Sequence, residues 1–227
     1  KDASAALIER LNNEPVMAVR AEALGQLVKA KAMSAEQLAQ TMRMQDENIQ
    51  CLSALALAEL GQPAGAAETL KALAAAKDPL TATLASVTLL GMGQKQYAPA
   101  VQKVMRDPAT EPRLHAAMLK QIEQQKIAAG VPLALEVAAN EQAPLDLRAL
   151  AYKAAANVSP LGATTLGEAI AKSDNLALRV RLLKTLASRV SCGSTLMISC
   201  ASRSVNFRNR FTCSRVGGIT GRPSLHN

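Results

Sequence analysis

Apolar residues recur along this chain with a period near 32. One column reads Leu7, Leu38, Leu70, Val101, Leu133, Leu166. A second, four residues later, reads Leu11, Met42, Ala74, Met105, Val137, Ile170. A third, thirteen residues after the second, reads Leu24, Leu55, Val87, Met118, Leu150, Leu183. Columns four residues apart share one face of a helix, so the first two define a helix A in each unit. The third belongs to a helix B, with apolar residues at helical spacing: Met17, Ala21, Leu24, Val28 in the first unit; Leu80, Leu84, Val87 in the third; Leu182, Leu183, Leu186, Val190 in the sixth.

The polar and conformationally special residues fall between these runs. Pro15, Pro79, Pro112 and Pro144 stand near the starts of B helices, where a missing N–H costs nothing. Asp78 is placed to cap one B helix, and Asp174 or Asn175 another. Ser34 with Gln37 three residues on forms a capping-box pattern before an A helix. Gly61–Pro63, Gly91–Gly93, Gly130–Pro132 and Ser159–Gly162 punctuate between units. Six units follow, at about 1–32, 33–62, 63–94, 95–127, 128–158 and 159–190. A hairpin of about 30 residues cannot bury its apolar stripe alone, so stacking on its neighbours is expected to make one continuous core. Small residues one position before the B column (Ala23, Ala54, Ser86, Ala117, Ala149) would let helices approach closely.

Composition agrees with this reading. Aromatic residues make up 2% of the chain, too few for an ordinary sandwich or barrel. No uncharged apolar run is long enough to span a bilayer, so no membrane partner is expected. The net charge of +8 suggests nucleic acid until its distribution is read. Residues 191–227 hold five arginines and no acid, so 21 of the 26 bases and all 18 acids lie in residues 1–190. A body so nearly balanced has no obvious phosphate-binding field. Cys51 is alone in the body, which excludes a disulfide framework there. Cys192, Cys200 and Cys213 match no common zinc spacing. Position 1 is Lys and no signal-peptide core is present, so a fragment or a processed chain is expected; the compartment stays open, with the cytoplasm favoured over export.

The segment Pro15–Leu27, with Arg20 followed by Ala23-Leu24-Gly25, resembles the B-helix phrase of HEAT repeats, in particular the bacterial phycobilisome-lyase HEAT-like class. Leu147-Arg148-Ala149 and Leu178-Arg179-Val180 echo it. The resemblance covers residues 1–190 and implies an all-α fold, a right-handed α-α superhelix of about six hairpins. Cys51, Thr83 and Leu114 replace or displace the expected arginine, so irregular stacking is anticipated in units three and four.

The resemblance also implies that the exposed B-helix face lines a concave groove. Positions two before and two after the core column point away from it, by about 200°. They include Leu57 and Leu89, with Met92 one turn on, and Arg148, Tyr152 and Arg181 towards the C-terminal end. An apolar centre flanked by Arg and Tyr suits a protein-binding groove, against the alternative that these leucines pack on the next helix. No phosphate loop, metal motif or catalytic triad is legible, so no catalytic residue, cofactor or metal is assigned. His115 falls in an inward column and reads as a hydrogen-bonded core histidine, Cys51 as a buried inert thiol.

The expected function is thus a non-catalytic protein–protein interaction scaffold, binding a protein partner or another domain of a longer chain. The alternatives are an enzyme or enzyme subunit related to the phycobilisome-lyase proteins, or nucleic-acid binding through residues 191–227. That segment breaks every trend: alanine falls to Ala201 alone, and Phe207 and Phe211 lie among arginines. It reads as a disordered basic arm or, given the abrupt shift at Ser191, an extension outside the natural reading frame. Both ends of the array lack polar caps, which favours a fragment or a self-associating array.

Overall fold

A computed structural model describes residues 3–191, with side chains to residue 188. The described residues form twelve α-helices and no strand. They alternate as A and B helices in six hairpins. The first is α1 (Ala3–Asn13) with α2 (Met17–Lys29), the second α3 (Ala35–Thr41) with α4 (Glu47–Glu59), the third α5 (Pro63–Leu73) with α6 (Pro79–Gly91). The fourth is α7 (Ala98–Arg106) with α8 (Pro112–Gln124), the fifth α9 (Val131–Ala139) with α10 (Leu145–Val158), the sixth α11 (Pro160–Lys172) with α12 (Leu176–Ser191). Each B helix packs on the B helix of the next hairpin, from α2 on α4 through to α10 on α12.

Local chemistry explains the boundaries. The Ser34–Gln37 capping box forms, with the Gln37 N–H donating to Ser34 Oγ and the Ser34 N–H to Gln37 Oε1. Asp78 caps α6 by accepting from the Thr81 N–H at 2.8 Å, and Asn175 rather than Asp174 caps α12. Four successive B helices end alike. Lys31, Gly61, Gly93 and Lys126 all have positive φ, and the next N–H donates back to Leu27, Leu57, Leu89 and Ile122 respectively. This is the Schellman arrangement, which satisfies carbonyls that a helix end otherwise leaves open.

The A-helix column is the buried seam: Leu38, Leu70, Val101, Leu133 and Leu166 are all buried, and Leu7 is half-buried. Two core clusters result. One runs from Leu11 to Leu89, the other from Val87 to Leu182, and both take residues from α6. Helix α6 is correspondingly buried nearly all round. The B column departs from expectation at its end. Leu24, Leu55, Val87 and Met118 are buried, but Leu183 is 48% exposed, and Val180, one turn before it, is 43% exposed. No described hairpin follows α12 to cover them. Met17 and Leu80 are also exposed, because they sit in the first turns of their helices, at the edge of the stack.

Several kinds of group tie the A and B helices of a hairpin together. Arg20, His115 and Arg148 each reach a backbone carbonyl near the end of their own A helix (Asn12, Val104 and Ala138), while Ser53 and Thr41 share a hydroxyl–hydroxyl bond of 2.6 Å in hairpin two. Gln121 donates to Thr88 across hairpins three and four. Irregularity does appear at α7, which packs chiefly on α6 and less on its own partner α8.

Candidate functional site

Helix α10 starts after Pro144, so Arg148 lies in its first turn and Tyr152 one turn further on the same face. Both line an open groove of about 660 Å³ where hairpins five and six meet. Helix α11, capped by Ser159, contributes Thr165, Glu168, Ala169 and Lys172. The A–B turn contributes Ser173, Asp174 and Asn175, Leu178 closes one side and Glu141 the other.

The charged groups in the groove are not equivalent. Lys172 and Glu168 pair at 3.1 Å, one turn apart on α11. Arg148 donates through Nε to the Ala138 carbonyl at 3.0 Å, which orients its guanidinium. Among the described residues it makes no ion pair. Tyr152 is almost wholly buried in the core beneath. Tyr152, expected to point outward, is thus corrected to a core residue that only floors the groove, and the group open to a ligand is the rest of the oriented Arg148 guanidinium. Such a guanidinium can hold a carboxylate or a polar backbone, and Arg is a residue type that often dominates binding energy.

The other expected binding residues fall elsewhere. Arg181 lies outside the groove lining and bonds Asp146 at 2.5 Å, tying α12 to α10. Met92 is half-buried at the end of α6, packed against the first core. Leu57 and Leu89 are 2% and 0% exposed and belong to that same core. Their expected outward placement is thus corrected. Helices α4 and α6 are each surrounded by their own A helix and by both neighbouring hairpins, which leaves neither a free face in its C-terminal half. The sequence does carry the signal: residues 49–58 and 79–92 contain no charged side chain, so neither stretch has a solvated stripe. Conversely, the columns carry no sign that Thr165 and Lys172, polar residues of an A helix, or Asn175, legible only as a cap, line a groove.

Two further groups sit where the columns place them. His115 is buried, with Nε2 3.0 Å from the Val104 carbonyl. Cys51 is buried, and burial, with a smaller effect from the Asp78 charge, pushes its thiol up to about 12. A smaller cavity of about 240 Å³ lies where the ends of α2, α4 and α8 converge, lined by Val28, Lys31, Glu59, Leu60 and Gln124 among others. Burial raises the Glu59 pKa there, and Lys31 opposes the shift. Among the described residues no three of His, Cys, Asp and Glu stand close enough to hold a metal ion, and no helix is long and apolar enough to cross a membrane.

Comparison with family models, curated proteins and solved structures finds no match to this chain.

Proposed function

We propose that this chain is a non-catalytic interaction scaffold, a right-handed α-solenoid of HEAT-like hairpins that engages a protein partner, or another domain of a longer chain, through hairpins five and six. The observation that carries the reading is the meeting of Arg148 and Tyr152 in one open groove, with the guanidinium oriented but unpaired. The solenoid part is supported by the B helices packing in file, each on the next, and by the recurring Schellman ends. The HEAT-like part rests on the phrase around Arg20 and its echoes at Arg148 and Arg179. In this reading the N-terminal hairpins provide a rigid base, and the recognition chemistry is concentrated where charge returns to the B helices.

The test is affinity capture from native extract, comparing the full chain with Arg148→Glu and Tyr152→Ala variants. A partner retained by the wild-type chain should be lost from both, because a hot-spot residue, a class enriched in Arg and Tyr, costs about 2 kcal/mol or more of binding when truncated. Thermal melts identify any variant that has lost its fold. Identical partners on folded variants would overturn the proposal.

A further inference from the structure

Helix α12 carries two apolar faces. Leu178 and Leu182 are buried, at 2% and 0% exposure, and α12 packs on α10 and α11. Leu176, Val180 and Leu183 lie roughly opposite and are 71%, 43% and 48% exposed; Ala187 continues their line and is also exposed. The outward positions are spaced four, three and four residues apart, the spacing of the a and d positions of a coiled coil. With Leu176 and Leu183 at d and Val180 and Ala187 at a, Arg179 falls at a g position and Lys184 at an e position. Both are exposed, and α12 contains no acidic residue. Leu183 also occupies the column that is buried in hairpins one to four. The face thus has the composition of a packing surface although the described residues leave it open.

We infer that this face docks an amphipathic helix with an apolar stripe and acidic flanks. Charge selects that occupant. A second copy of α12 would bring Arg179 and Lys184 against their own counterparts, and like charges at e and g positions oppose pairing. Residues 192–227 hold five arginines and no acid, so they too would add like charge. Glutamates flanking the incoming stripe would instead meet both cations. This face is distinct from the Arg148 groove, goes beyond the scaffold reading and can be tested apart from it.

The probe is a synthetic helical peptide of about 20 residues with Leu at a and d and Glu at e and g, titrated against the full-length chain; a twin peptide carries Lys in place of Glu. Hydrogen exchange locates the contact. The acidic peptide should bind, protect α12 and weaken in high salt. Val180→Glu/Leu183→Glu should reduce affinity at least about tenfold, and Arg179→Glu/Lys184→Glu should transfer preference to the Lys peptide. Arg148→Glu should leave binding unchanged, so that failure of the groove and failure of this face give different results. Equal binding of both peptides, no binding of either, or loss on Arg148→Glu would overturn the inference. So would self-association abolished by Val180→Glu/Leu183→Glu, or α12 protection in the free chain that depends on residues 192–227.

Discussion

At the scale of single residues, burial and backbone proximity decide what each side chain can do. Cys51 is sealed in the first core, and with its thiol pushed up to about 12 almost none is thiolate at neutral pH. It should therefore resist a thiol reagent at pH near 8 in the folded chain and react only on unfolding. Peptide mapping separates it from Cys192, Cys200 and Cys213. Rapid labelling under native conditions would contradict the placement. Gly162 is as tightly held: a Cβ there would run into the backbone of Ala155 and Ala156, so α11 crosses α10 at a point where only glycine fits. Gly162→Ala should cost about 1–3 kcal/mol, read as a lower denaturation midpoint. The buried leucines were legible in the sequence as a repeating column. The column alone does not show that Leu57 and Leu89 face inward, because their burial depends on neighbouring hairpins covering α4 and α6 on every side.

At the scale of elements, the ends of helices carry much of the repeat's regularity. Asp78 illustrates the electrostatics. Its carboxylate accepts the Thr81 N–H, which holds its pKa below the ordinary value. The folded state thus favours the charged form, so the cap stabilises at neutral pH and its contribution is lost as pH falls through the lowered pKa. Asp78→Ala should cost about 0.5–2 kcal/mol at neutral pH, with the gap to wild type closing in acid. Chemical denaturation at several pH values measures this. The Schellman ends predict an opposite pair of effects. Gly93→Ala places a Cβ at a φ of +84° and should cost about 1 kcal/mol, while Lys31→Gly relieves the same strain at a φ of +52°. Gly61 and Gly93 were readable as punctuation between units. Lys31 and Lys126 were not, since lysine gives no hint of a left-handed conformation.

At the scale of the whole molecule, six hairpins in order were legible, because an apolar period near 32 leaves few other ways to bury the stripes. The groove was legible only in half. Arg148 and Tyr152 belong to a B helix whose register the columns define, but Thr165, Lys172 and Asn175 come from an A helix and a turn. No periodicity links them, and only the crossing of α11 on α10 brings them together. The division of the core at α6 was likewise invisible, since it depends on which face each neighbouring hairpin covers. The proposed file of hairpins would have a thermodynamic consequence that a closed bundle lacks: stability would be a sum of hairpin and neighbour terms, and damage would stay local.

Hydrogen exchange on Leu166→Ala therefore tests the arrangement most directly. Leu166 is fully buried in α11, and its truncation should cost about 2–5 kcal/mol locally. Exchange should rise in hairpins five and six and stay at the wild-type level in hairpins one and two. A uniform rise through all six hairpins would show a single cooperative globule and contradict the stacked array.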